Sequence, residues 1–201
     1  MMDVFEAIEK RRSVKAYDPD FRMPKEDVDK MFDAVRLAPT AFNIQNWRFV
    51  VVNDKALRAK IRAAAWDQAQ VTDASLLVVL CGDLKSWEKE PRRYWREVPS
   101  NVRDVILPMI DNYYRGRDQV MRDEVMRSCG IAAQTLMLAA TAMGYQCCPM
   151  DGFDFDAVGK LINLPDDHAV TMFVAIGKGI KPPSPRSGAL PADDVLIEDR
   201  F

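Results

Sequence analysis

A single-domain fold in which helices alternate with short buried strands is what this sequence predicts, on three observations. The chain has 201 residues, enough for one sizeable core and short for two. Its composition, 48% hydrophobic and 29% charged, belongs to a globular protein with little room for a long disordered tract. Apolar residues recur at helical spacing in several segments, and between them lie short β-branched runs bounded by turn residues. No internal repeat of solenoid length is visible.

The elements follow in order. Met1, Val4, Phe5 and Ile8 predict a helix over residues 1–10 that delivers the cationic run Arg11-Arg12-Ser13-Val14-Lys15. Pro24, then Glu26 and Asp27, open a second helix with Val28, Met31, Phe32 and Val35 on one face, reaching about Leu37. A polar-aromatic loop over 38–47 leads into a β-branched strand at 48–53, and Asp54 caps a third helix carrying Leu57, Ile61 and Ala64. Residues 75–81 form a second buried strand ended by Gly82 and Asp83. Residues 84–117, with Trp87, Tyr94, Trp95, Tyr113, Tyr114 and three prolines, read as an irregular helical insertion. The longest helix spans roughly 118–143 and stops at Gly144. An apolar segment from Cys147 turns at Gly152, Asp154 caps a short helix, and a third clear strand occupies 169–176. Residues 180–201 contain Pro182, Pro183, Pro185 and Pro191 and predict an extended arm.

Charge and cysteine use narrow the function. A net charge of -2 provides no footprint for nucleic acid. The segment MMDVFEAIEKRRS has the pattern of neither a signal nor a transit peptide, and no apolar stretch has the length of a membrane span, so a cytoplasmic protein is expected. Cys81, Cys129, Cys147 and Cys148 lack metal or redox spacing and read as buried thiols without a disulfide. The sole histidine, His168, reads as a solvated loop residue, which removes most triad mechanisms. No metal site and no nucleotide-binding glycine motif appear, so an enzyme of this sequence needs a cofactor to supply the reactive atoms.

The run Arg11-Arg12-Ser13 with Lys15 suits a phosphate monoester, since arginine donates in pairs and serine adds a neutral donor. A solvated basic turn at a helix C-terminus would look the same. Three further segments accompany it. Residues 38–47 read Ala-Pro-Thr-Ala-Phe-Asn-Ile-Gln-Asn-Trp, residues 149–152 read Pro-Met-Asp-Gly, and Gly177-Lys178-Gly179 precedes Arg186. Together and in this order the four resemble the signatures of the nitroreductase-like FMN flavoproteins, across almost the whole chain.

That resemblance implies the rest. It implies an α+β, three-layer fold, a mixed central sheet flanked by helices, in one domain over 1–201 with the insertion at about 84–117. It implies an intertwined homodimer whose C-terminal arm, about 180–201, exchanges between subunits, with Val195-Leu196-Ile197 as the added strand. Arg11, Arg12, Ser13, Lys178 and Arg186 would hold the FMN phosphate. Pro39, Thr40, Ala41, Asn43 and Gln45 would reach the flavin from the partner, although Asn46 stands where the family has proline. Pro149, Met150, Asp151 and Gly152 would lie against the flavin, the Asp151 N–H addressing N5. Gln68 occupies the place of an amide on the ribityl and pyrimidine part, and Lys15 would favour the reduced cofactor. The implied reaction passes hydride from NADH or NADPH through flavin N5 to an electron-poor small molecule such as a quinone or nitroaromatic, with no certain catalytic side chain. A same-fold dehydrogenase, dehalogenase or flavin-fragmenting enzyme is an alternative, and so is a cofactor-free dimeric interaction protein.

Overall fold

The structure, a computed structural model, describes residues 2–201, so the expected contribution of Met1 to the first helix lies outside the described residues. α1 (Val4–Lys10) starts where Asp3 accepts the Glu6 N–H at 2.9 Å, which satisfies a donor that a helix end otherwise leaves orphaned. α2 (Lys25–Val35) follows Pro24, with Glu26 and Asp27 at the positive end of its dipole. Asp54 and Asp154 cap α3 (Lys55–Ala64) and α7 (Phe155–Leu161) in the manner of Asp3, accepting from Leu57 and Ala157. The one-turn α4 (Gln70–Asp73) lies between α3 and the second strand.

The insertion folds as a 3-10 turn, Pro91–Trp95, and α5 (Ser100–Tyr114). α6 (Asp118–Ala142) is the long helix, and Gly144 just beyond it has φ +87°, the left-handed conformation that a helix stop needs.

Four strands form one sheet in the order β1 (Trp47–Val51), β2 (Leu76–Asp83), β4 (His168–Gly177), β3 (Gln146–Met150). Every neighbouring pair is antiparallel, which corrects the expected mixed sheet. β-branched runs mark strands but carry no direction, and helices between strands do not enforce parallel pairing. The parallel contact found is the isolated bridge between Ser13 and Cys147.

The three-layer arrangement follows from side-chain alternation on β2, which is buried along its whole length. Val78 and Leu80 join Val174 and Ile176 in a core with Met31 of α2, Ile110 of α5 and Leu136 of α6. Leu77, Val79 and Cys81 face the other way, with Phe173, Ile61 of α3 and Val158 of α7. Gly82 lies directly beneath the Val125 side chain of α6, which packs onto the strand backbone where any other residue would place a β-carbon.

The tail beyond Ile180 runs without regular structure to α8 (Ala192–Val195), a single turn. Within one chain the triplet Val195-Leu196-Ile197 forms no strand, and all three side chains are exposed.

Candidate functional site

The cationic run is held between two strand ends. Val14 donates to the Cys147 carbonyl of β3 at 3.0 Å, Asp18 donates to the Lys178 carbonyl at 2.9 Å, and Ile180 donates to that of Ala16 at 3.0 Å. The strip 13–18 therefore bridges β3 and the exit of β4, and the start of the arm folds over it. Arg11, Arg12, Ser13 and Lys15 here meet Lys181, Ser184, Arg186 and Ser187 around a concavity of about 780 Å³. Five cations line it and no carboxylate does. Arg12 donates to the Ser184 carbonyl, and Arg186 donates to those of Glu9, at 2.8 Å, and Arg11, at 3.3 Å, so the arginines also fasten the arm to the end of α1. Lys178, expected here, sits 3.6 Å from Asp18 instead and is not among the lining residues; Lys181, hidden among prolines in the sequence, is.

Pro149 opens onto a neighbouring cavity with Arg11, Ser13 and Arg186, which brings the Pro149–Gly152 turn beside the cationic strip. Met150 is buried and Asp151 exposed. Gln68 joins the same turn, its Nε2 donating to the Gly152 carbonyl at 2.8 Å while Gln70 donates to Gln68 Oε1 at 3.0 Å. Trp66, 73% exposed and in a left-handed backbone, lies against Gly152, where a β-carbon would stand 2.7 Å from its ring.

The third group stands apart. Residues 39–45 form a tight loop with positive φ at Phe42, Asn43 and Gln45, a conformation that non-glycine residues keep only when their surroundings impose it. Glu124 of α6 is the main restraint. It is 7% exposed, and its Oε1 accepts from the Ala41 N–H at 3.0 Å and from Ser128 Oγ at 2.8 Å. Thr40 Oγ1 accepts from the Gln45 N–H at 3.0 Å. Pro39 is exposed at the loop's entry. Asn43 and Gln45 line a different cleft, of about 670 Å³, with Trp47, Arg48 and residues 93–98. In one chain the loop residues and the cationic strip thus border separate cavities. A carboxylate inside a long amphipathic helix reads as a solvent group, so Glu124 escaped the sequence.

The family model described as the nitroreductase family matches residues 8–178. The chain belongs to the nitroreductase family. Protein DrgA of Synechocystis sp. (strain ATCC 27184 / PCC 6803 / Kazusa) is 50% identical over 177 residues, covering 88% of this chain and 84% of its own. YodC of Bacillus subtilis (strain 168), provisionally named an NAD(P)H nitroreductase, is 30% identical over 200 residues, covering 97% and 98%. A provisionally named nitroreductase from Exiguobacterium sibiricum 255-15, solved in complex with FMN, superposes with a TM-score of 0.89 at 27% identity, covering 98% of this chain and 97% of that one.

Two other clusters in this nitroreductase-family chain could carry chemistry, and neither is arranged for it. All four thiols are buried and free. Burial pushes Cys81 up to about 12 and Cys129 and Cys147 up to about 11, and raises Cys148 as well, so the adjacent pair 147–148 has no thiolate to react. His168 is not the solvated loop residue expected. It begins β4 opposite Asp83, with Nδ1 2.6 Å from Asp167 Oδ1 and Nε2 3.9 Å from Asp83. These three groups have the spacing of a metal cluster, but Lys89 sits among them, 2.9 Å from Asp83 and 2.6 Å from Asp167. The Lys89 ammonium, followed by His168, holds the Asp167 carboxyl below its ordinary range. This is an ion-pair network that ties the insertion to the sheet.

No helix among the described residues is long and apolar enough to cross a membrane.

Proposed function

We propose that the chain is an FMN-dependent oxidoreductase that draws on NADH or NADPH and reduces an electron-poor small molecule such as a quinone or nitroaromatic, in the cytoplasm, as a homodimer. The observation that carries this is the acid-free concavity lined by five cations, whose donor set suits a phosphate dianion. Bound FMN would supply the redox centre that these side chains lack. Arg11, Arg12, Ser13 and Arg186 would anchor its phosphate, with Lys15 and Lys181 adding positive charge. Asp151, Gly152 and Gln68 would face its ring from the adjacent turn.

Completion of the site by the partner is supported by the separation of the 39–45 loop from the cationic strip, since a second chain is then needed to bring Asn43 or Gln45 to the cofactor. Apolar surface points the same way. Val4, Phe5 and Ile8 of α1 are exposed, as are Leu37 and the C-terminal triplet.

An absorbance spectrum of the purified protein after FMN addition, followed by anaerobic titration with each nicotinamide, tests the proposal. A flavin band bleached by NADH or NADPH is expected; a protein that takes up no FMN overturns it. Arg11→Ala should weaken FMN binding about ten-fold or more, given roughly 1.5 to 3 kcal/mol for a hydrogen bond to a charged group. Equilibrium titration checks this, and unchanged affinity would remove Arg11 from the site.

A further inference from the structure

The cleft between the 41–45 loop and the insertion is lined by Arg48, Arg93 and Arg96 against one carboxylate, Glu97. Its volume, about 670 Å³, is that of a small-molecule site. The three arginines differ in how far their charge is already used. Arg48 is committed: it sits 3.0 Å from Asp83 and donates at 2.9 Å to the carbonyls of both Gln45 and Trp47. Arg96 pairs with its neighbour Glu97 at 3.5 Å, where both side chains are more than three-quarters exposed, a contact worth little in water. Arg93 makes no ion pair among the described residues. Its guanidinium stands 4.8 Å over the Tyr94 ring and donates to the Tyr94 hydroxyl at 2.6 Å, which orients the cation without neutralising it. Arg103, behind the segment, donates to the carbonyls of Arg96 and Val98 and adds to the positive field.

The segment is also built onto the strained loop. Asn43 Nδ2 donates to the Tyr94 carbonyl at 2.9 Å, and Trp95 Nε1 donates back to the Phe42 carbonyl at 3.0 Å. Two hydrogen bonds of opposite sense latch residues 94–95 to the residues that, on the proposed function, reach the partner's cofactor. Anything that approaches the cofactor past Asn43 and Gln45 then passes Arg93 and Arg96.

We propose that this cleft binds an anionic group, a phosphate, carboxylate or sulfonate, on the molecule that exchanges electrons with the cofactor, and that Arg93 and Arg96 select for it. The proposal rests on the shared-site reading above. Two sources offer such a group: the 2′-phosphate that distinguishes NADPH from NADH, and an acid substituent on the acceptor. Guanidinium groups suit both, because their paired donors match phosphate and carboxylate oxygens.

The test uses the FMN-loaded protein and its Arg93→Ala/Arg96→Ala variant. Calorimetric titration compares 2′,5′-ADP with 5′-AMP, and steady-state kinetics compare NADPH with NADH and a sulfonated naphthoquinone with its unsubstituted parent. In the wild type the member carrying the additional anionic group should bind better in at least one pair. In the variant the ratio of KM values, the member with the additional anionic group over the member without it, should rise about ten-fold for that pair. A loss confined to 2′,5′-ADP and NADPH assigns the site to the reductant; a loss confined to the sulfonate assigns it to the acceptor. A structural role alone would move both members of a pair together and overturns the proposal, as does a flavinated wild type indifferent to charge. A protein that binds no FMN overturns both this and the proposed function.

Discussion

Removal of residues 188–201 should convert a flavinated dimer into a monomer that has lost FMN. Pro182, Pro183 and Pro185 enforce extension of the chain leading into this segment. Leu196, 72% exposed, leads an apolar triplet that a single chain leaves in water, and the terminal Phe201 is fully exposed. Burial of such side chains stabilises by roughly 1.5 to 3 kcal/mol each when complete, a gain that a second subunit would offer. A sheet edge offers the triplet backbone partners as well, and both β1 and β3 are edge strands. On the proposed shared site, where the 39–45 loop would serve the other chain, FMN should leave with the dimer. Light scattering together with the flavin absorbance of the gel-filtered protein reads both losses; an intact, fully flavinated dimer after truncation would refute the arm.

Gly82→Ala should be the most damaging single methyl that can be added to the sheet. The backbone there is pinned on both sides, opposite Trp47 on β1 and Ala169 on β4. A β-carbon would overlap Val125 Cγ1 and stand 3.0 Å from Cγ2 and 3.1 Å from Cβ. Val125 is fully buried on the central helix, and a β-branched side chain in a helix has one strongly preferred rotamer, so it cannot turn aside. Overpacking of this kind costs about 1 to 3 kcal/mol. Urea denaturation should show a lower midpoint for Gly82→Ala and recovery of part of the loss in Gly82→Ala/Val125→Ala, since the two positions are in contact. Equal midpoints for wild type and the single variant would mean that strand and helix are not in the contact described.

The parts of this molecule that one segment decides by itself were readable in the chain. Asp54 and Asp154 cap helices because a short acid before an apolar-periodic run has little else to do, and Gly144 stops α6 because the turn beyond it needs positive φ. The cationic strip was visible because its residues are consecutive. Features set by distant pairing were hidden. Strand direction depends on partners 23 to 100 residues away, from Met150 with Phe173 to Leu76 with Ile176. β3 contains Pro149, which cannot donate to a ladder and survives because the strand lies at an edge. Arg58 looks like a solvent charge of α3, yet it is buried, donating to the carbonyls of Val52 at 2.7 Å and Ser75 at 3.1 Å. Glu124 was passed over and His168 misread for the same reason: each is polar by type, and the distant group that draws it inward, the Ala41 N–H for one and Asp83 for the other, is not written beside it.

The four interior thiols bear on survival in use. Quinones are electrophiles that add to exposed sulfur nucleophiles, and a chain that reduced them, as proposed above, would risk alkylation by its own acceptor at each turnover. Here Cys129 has no exposed surface, the other three have almost none, and burial holds all four in the protonated form. A folded chain so built gives a soft electrophile no thiolate to attack, and its resistance to alkylation in such company would be set by how rarely the core opens.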